Sequence, residues 1–381
     1  MINNREYIEN SKRIVIKLGS NVLTGKNDLN ISVIASLSSQ VNSLIKSGRQ
    51  VIIVSSGAMA AGLRKMGLKK RPVLLPERQA VAAVGQTRLI MEYDKAFSCF
   101  GIMVSQLLLT SEDLGERKRY LNARNTLNTL LAKNIIPIIN ENDTVSVEEI
   151  AFGDNDNLSA MVAMLMDADL LINLTDIDGV YTKDPRKHKN AEHIKSIDSI
   201  TEEIEKLAGD IPGALGTGGM KSKIRAAKKV MTHGIPMVIA NGLHAHTIDD
   251  IFSLKAKGTF FLPLRDKIKS RKSWIAFNLK PKGSVIIDDG ALKALVKNGK
   301  SLLPGGIISV EDDFHMGEPV KILDKNKNEI GSGLVNYSSA DIRRIAGRKT
   351  DEIKKILGLK PYDEVIHRDN LVITSVQHQR I

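Results

Sequence analysis

The sequence predicts an α/β protein: an open, mainly parallel sheet sandwiched by helices, followed by a small β-rich domain. Two observations predict the first part and one the second. From about residue 12 to 262, short β-branched runs alternate with longer helical patterns, which is the signature of a parallel sheet covered on both faces. The runs are bounded by Gly, Pro, Asn or Asp, as buried parallel strands are. Beyond about residue 272 the runs become short and are separated by glycines, a pattern of strands joined by tight turns.

Taken in order, the strands of the first part are 13–17 (RIVIK), 50–54 (QVIIV), 135–139 (IIPII), 170–174 (LLINL) and 236–240 (PMVIA). Helices are expected over 31–47, 77–97, 119–133, 157–166 and 221–233. The polar, basic stretch 265–272 suits a linker. After it, strands are expected at 283–287, 306–310, 318–322 and 329–333, and one helix over about 340–357 with Ser338 and Asp341 as its capping box.

Composition narrows the function classes. The chain has 381 residues, a formal charge of +12 and a single Cys99. One cysteine excludes an intrachain disulfide framework and a cysteine-based zinc site. No apolar run approaches the roughly 18 residues of a membrane span, and residues 1–13 lack the apolar core of a secretory signal. A soluble, cytoplasmic, basic protein is expected. Residues 263–381 hold 22 basic and 15 acidic residues, so the smaller part carries most of the excess.

An open parallel sheet raises the question of phosphate binding, because strand ends that feed helix N-termini present free backbone N–H groups. The P-loop pattern fails: Lys26 is followed by Asn27, and Ala294 stands where Gly299-Lys300-Ser301 would need its first glycine. The dinucleotide pattern fails at Gly216-Thr217-Gly218. Three other turns remain. Lys17-Leu18-Gly19-Ser20 follows the first strand, Ser55-Ser56-Gly57-Ala58 the second, and Thr217–Lys223 opens a helix with a lysine in its first turns. Each alone would read as a tight turn. Three in one sheet domain, two with lysines, point to a phosphoryl site.

Asn and Asp are concentrated at 139–143 (INEND) and 153–157 (GDNDN). Asp156 or Asn157 would cap a helix starting at Leu158, yet seven such residues exceed what capping requires. Asn side chains can clamp an amino acid's carboxylate, and Asp can accept from its ammonium group. The Met-rich helix Met161–Met166 reads as core filling. The segment 174–185 (LTDIDGVYTKDP) leaves a strand into a turn and is a candidate nucleotide-base pocket.

In this combination the chain resembles the amino acid kinase family. The segments VIKLGSNVLT (15–24), SSGAMAAG (55–62), AAVGQTRL (82–89), LNARNTL (121–127), INENDTV (139–145), FGDNDNLSA (152–160), LTDIDGVYTKDP (174–185) and GTGGMKSK (216–223) occur in the family's order. INEND and GDNDNLSA separate this member from acetylglutamate, aspartate, carbamate and uridylate kinases. The tail, with LLPGGI (302–307) and SSADIRRIAG (338–347), is similar to a PUA domain. Ser222 stands where the family usually has Thr, a change that keeps the hydroxyl.

The resemblance implies a catalytic domain over 1–264, a linker over 265–273 and a PUA-like, β-rich barrel domain over 274–381. It implies transfer of the γ-phosphoryl of ATP to the side-chain carboxylate of glutamate, the first step of proline synthesis, with inhibition by proline. It assigns Lys17 and Lys223 to the phosphoryl oxygens, with Gly19, Gly57 and Gly219 supplying backbone contacts and Asp156 holding the two lysines. Ser56, Asp143, Asn155 and Asn140 would bind glutamate. Thr175, Asp176 and the loop Thr217, Gly218, Gly219, Met220, Lys221, Ser222 and Lys223 would bind ATP. Mg²⁺ would be held through the phosphates rather than directly by protein ligands. A homo-oligomer, dimer or tetramer, and contact with the next proline-pathway enzyme are further implications. A rival reading, RNA binding by the basic tail, is disfavoured because its basic pairs are interrupted by Asp351 and Glu352 and aromatic residues make up only 4% of the chain.

Overall fold

In the computed structural model the described residues are 4–25, 29–145, 155–209, 219–264 and 281–374. The chain divides into two compact units, and the division falls between 264 and 281. The expected linker therefore lies outside the described residues.

The first unit is built on an eight-stranded sheet. Its strands are β1 (Arg13–Leu18), β2 (Gln50–Ser55), β3 (Val104–Leu109), β4 (Ile136–Glu141) and β5 (Leu170–Thr175), then β8 (Ser196–Ile197), β9 (Met237–Asn241) and β10 (Gly258–Phe261). Two short strands, β6 (Val180–Tyr181) and β7 (His193–Ile194), pair with each other outside it. The order is β3-β4-β2-β1-β5-β9-β10-β8, parallel except where β10 meets β9. The five expected strands are present, and each ends one residue or more later than the sequence pattern suggests. β3, β8 and β10 are not among them.

The helices are α1 (Asn4–Glu9), α2 (Ser20–Leu23), α3 (Ile31–Lys46), α4 (Ala58–Lys65), α5 (Leu75–Ser98), α6 (Ser111–Gly115), α7 (Arg117–Ala132), α8 (Asn155–Leu165), α9 (Glu202–Gly209), α10 (Met220–His233) and α11 (Thr247–Phe252). Period-2 alternation decides what each sheet face meets. Ile14, Ile16 and Leu18 of β1 and Leu170, Ile172 and Leu174 of β5 join one core with Ile34 and Val41 of α3, Leu89 and Phe97 of α5, and Ile248 of α11. The alternate residues, Lys17 and Asn173 among them, face α8 on the opposite side. α8 is buried along nearly its whole length, including Met161 and Met164, as a helix clasped between a sheet and other helices should be.

Strand order fixes where a ligand can sit. β1 is flanked by β2 on one side and β5 on the other, so the chain reverses its direction of sheet growth there. Crevices for ligands open at the carboxyl ends of strands at such a switch point. The turns after β1, β2 and β5 meet at this edge.

Two helices behind the edge touch unusually closely. A Cβ on Gly85 of α5 would lie 1.7 Å from the carbonyl oxygen of Ala58 in α4, and one on Gly62 would lie 1.8 Å from the carbonyl of Val81. Only glycine fits at either position. The contact seats the N-terminus of α4, which follows Gly57 at φ +102°.

The second unit is a five-stranded sheet in the order β12-β11-β13-β14-β15, with β11 (Gly283–Ile287), β12 (Ile307–Glu311), β13 (Pro319–Leu323), β14 (Glu329–Leu334) and β15 (Leu371–Ile373). Val285, Val320, Ile322, Ile330 and Ile342 lie in its core. The helix expected over 340–357 is instead two helices, α13 (Ser339–Ile345) and α14 (Ile353–Leu357), following α12 (Asp289–Asn298). Gly347, at φ +71°, breaks it and gives its N–H to Pro304 O. The Ser338 hydroxyl accepts from Asp341 N, so the cap is present, and the Asp341 carboxylate accepts from that same hydroxyl. Several tail cations are paired: Lys321 with Glu329, Lys325 with Asp289, Lys327 with Glu311, Arg343 with Asp313 and Lys360 with Asp363.

Candidate active site

The carboxylate of Asp156 is the centre of the site. Helix α8 starts at Asn155, so Asp156 lies in its first turn and does not cap a helix beginning at Leu158 as its sequence position suggested. Its side chain is turned to the sheet instead. Lys17 Nζ lies 2.5 Å from Oδ1 and Lys223 Nζ lies 3.1 Å from Oδ2. Asn173 Nδ2 donates to Oδ1 at 2.9 Å and the Ser222 hydroxyl donates to Oδ2 at 2.5 Å. Four donors thus converge on a group that is 2% exposed.

Burial would push this carboxyl's pKa up. The charges of Lys17 and Lys223 and the hydrogen bonds from Lys17 and Ser222 outweigh it and hold the carboxyl far below the ordinary range. Lys17 and Lys223, 4% and 6% exposed, bring two positive charges against one negative charge. The centre keeps a net positive charge in a poorly solvated place, which suits a polyanion.

Each partner arrives by a different route. Lys17 is the next-to-last residue of β1 and the register neighbour of Asn173 in β5. Ser222 and Lys223 ride on α10, and Gly219, the N-cap residue before it, contributes no side-chain cap. The first turn of a helix carries backbone N–H groups with no partner inside the helix, the kind of donors an anion takes. Met220 is buried and Lys221 is exposed. Thr217 and Gly218 lie outside the described residues, as do Gly153 and Asp154.

A second cluster starts from the adjacent residue. Asn155 Nδ2 donates to Ser56 Oγ at 3.0 Å, to Asn140 Oδ1 at 2.9 Å and to Ser55 O at 3.3 Å. Asn140 belongs to β4 and Ser56 to the turn after β2, so this side chain ties two strand ends to α8. Among the described residues its own Oδ1 is buried without a hydrogen-bond partner, an acceptor waiting for a donor. Asp143, just past β4, is also buried. Burial, and then the nearby charge of Glu141, push its carboxyl up to about 7, with Arg71 opposing.

Thr175 and Asp176 lie at the end of β5. Asp176 accepts from Asn21 of α2 at 2.9 Å and from the Thr175 hydroxyl at 3.1 Å. The next acidic residue of that turn, Asp178, takes Lys257 at 2.9 Å, Asn241 at 3.1 Å and His244 at 3.3 Å. Lys17, Ser222 and Lys223 thus gather on Asp156, and Ser56 and Asn140 on the adjacent Asn155, with Thr175 and Asp176 at the neighbouring strand end. Two buried participants were not anticipated. Tyr93 of α5 shares a hydrogen bond with Ser55 Oγ at 2.9 Å. Asn173 had a visible signal, a lone amide inside the apolar run 170–174.

Residues 12–241 match the sequence model of the amino acid kinase family. The chain belongs to the amino acid kinase family. Residues 283–357 match the PUA domain. The chain is 49% identical over 362 residues to the glutamate 5-kinase of Thermoanaerobacter sp. (strain X514), covering 95% of this chain and 97% of that one. It is 49% identical over 371 residues to the glutamate 5-kinase of Syntrophus aciditrophicus (strain SB), covering 97% and 96%. It is 52% identical over 363 residues to that of Geobacter metallireducens (strain ATCC 53774 / DSM 7210 / GS-15), covering 95% and 97%. The amino acid kinase match spans the Asp156 cluster and the Asn155 cluster alike.

Proposed function

We propose that this chain is a glutamate kinase: it transfers the γ-phosphoryl of ATP to the γ-carboxylate of L-glutamate, giving γ-glutamyl phosphate for proline biosynthesis. The observation that carries the mechanism is the Lys17–Asp156–Lys223 arrangement beside the Asn155 cluster. Glutamate sits on Ser56, Asn140, Asn155 and Asp143, its ammonium group accepted by the open Asn155 Oδ1 and the Asp143 carboxylate. ATP lies across Gly19, Thr175, Asp176 and the loop 217–223.

Two anions must meet, and Lys17 and Lys223 offset their repulsion. In phosphoryl transfer the protein chiefly positions reactants and neutralises charge spread over the equatorial oxygens. A carboxylate nucleophile is ionised at neutral pH (unperturbed Glu about 4.3) and needs no general base. Asp156 holds the lysines where the γ-phosphoryl passes, at little cost in net charge.

Both oxygens of Asp156 are already taken by donors, and among the described residues no three His, Cys, Asp or Glu side chains gather as a metal cage. The site suits a Mg²⁺ ion carried by ATP phosphates and water, which neutralises phosphate charge when bound. Cytoplasmic residence, a dimer or tetramer, inhibition by proline and contact with the next pathway enzyme belong to the same proposal through kinship. Among the described residues no helix is long and apolar enough to cross a membrane.

The test is ATP turnover by the purified chain with glutamate, N-acetylglutamate, aspartate or UMP, with hydroxylamine added to trap an acyl phosphate. Hydroxamate formation with glutamate alone is expected. Turnover with UMP, or with N-acetylglutamate in preference to glutamate, overturns the assignment.

A further inference from the structure

Asn173 is fully buried in β5, between Lys17 of β1 and Ile239 of β9 in the strand register. Its position is otherwise an aliphatic one, since Leu170, Leu171, Ile172 and Leu174 surround it in the strand. A carboxylate can only accept, so the 2.9 Å contact with Asp156 Oδ1 fixes which end of the amide points there: Nδ2 donates. The other end, Oδ1, is then left buried with no hydrogen-bond partner among the described residues. Such an acceptor costs stability, and a leucine would avoid the cost. The residue is therefore poorly explained as part of the core.

What the amide supplies is a neutral donor. It grips the same oxygen as Lys17 without adding charge, so it orients the Asp156 carboxylate and leaves the positive balance of the lysines intact. Asp156 faces Lys17 from β1 and Lys223 and Ser222 from α10, and Asn173 is a second contact from the sheet, which completes this ring. We propose that Asn173 is a positioning residue for phosphoryl transfer, locking Asp156 so that Lys17 and Lys223 are presented to the phosphoryl group together. This rests on the reading of those two lysines as the phosphoryl-binding pair.

The experiment uses Asn173→Leu and Asn173→Asp in the full chain, with Lys17→Ala as a control. Turnover is measured at saturating glutamate and ATP across pH 6 to 9, and each variant is melted. Asn173→Leu is expected to lower kcat by about 10- to 100-fold, with KM for glutamate within about twofold of wild type and a melting temperature equal to or above wild type. A structural role would lower melting temperature and leave kcat alone. Asn173→Asp places a second carboxylate beside Asp156; its kcat is expected to fall at high pH and recover toward low pH, where a protonated Asp donates as the amide does. Wild-type kcat in Asn173→Leu beside an inactive Lys17→Ala overturns the role of Asn173 and leaves the functional reading standing. A wild-type pH profile in Asn173→Asp overturns it as well. A wild-type chain that forms no hydroxamate from glutamate fails the functional reading and this proposal with it.

Discussion

Lys17 and Lys223 grip opposite oxygens of one carboxylate, Lys17 at 2.5 Å from Asp156 Oδ1 and Lys223 at 3.1 Å from Oδ2. They come from a strand and a helix far apart in sequence, yet their spacing is set by a single side chain. An ammonium has three donors, and a single carboxylate oxygen takes one of them.

Removing either lysine should therefore act on the chemical step. Lys17→Ala and Lys223→Ala are each expected to lower kcat by about 10²-fold or more. Steady-state kinetics at saturating ATP and glutamate check this, and an unchanged kcat in one variant removes that lysine from the mechanism.

Asp156→Ala should be worse for the fold than for a surface carboxylate. It leaves two nearly buried lysines without their shared counter-charge, a loss of about 3–5 kcal/mol for breaking a buried pair. The native carboxyl lies below its ordinary value, so its stabilisation is present above about pH 4, the unfolded pKa, and is lost only as pH falls through the lowered native value. Urea midpoints at pH 7 measure the change; a shift smaller than that of Asp313→Ala, which removes the partner of half-exposed Arg343, would refute it.

Asp143 behaves in the opposite sense. Its native pKa of about 7 lies above the reference 3.8, so folding takes up a proton and stability declines as pH rises between those values. Asp143→Asn should stabilise the unliganded chain above pH 7, by an upper limit of about 4 kcal/mol, and have little effect near pH 4. The same variant should raise KM for glutamate, and wild-type KM should fall as pH rises through 7 and the carboxylate ionises. Melting curves at pH 5 and 8 and a KM–pH profile test both halves.

Gly85→Ala should disturb a site that it does not line. Its Cβ would sit 1.7 Å from Ala58 O, so α4 and α5 must separate, moving the turn that bears Ser56. A loss of about 1–3 kcal/mol is expected from the overpacking, with kcat/KM for glutamate lowered more than kcat/KM for ATP. Equal effects on both substrates would place the disturbance elsewhere.

Much of this was legible in the sequence. The central strands were readable because parallel strands buried on both faces appear as unbroken aliphatic runs, and Lys17 ends one of them. β3 was not readable: it lies at the sheet edge and is only partly buried, so its pattern is diluted. The Asn and Asp clusters pointed to a polar site, but their geometry did not follow. Asn140 proved to be inside β4 and Asn155–Asn157 inside α8, because tertiary partners supply what loop turns would otherwise supply. Gly62 and Gly85 carried a motif whose meaning needs two helices in contact. Asn173 stands out in the apolar run 170–174, and only the structure shows its contact with Asp156.

Asn155 and Asp156 are joined by one peptide bond, yet Asn155 belongs to the pocket proposed for the amino acid and Asp156 to the one proposed for the nucleotide. A small rotation of the first turn of α8 would move both at once. Coupling of this kind is reciprocal: whatever tightens or loosens the grip on one ligand changes the grip on the other by the same factor. An effector that competes only for the amino acid pocket would then also be felt in nucleotide affinity, without any channel of communication longer than two residues.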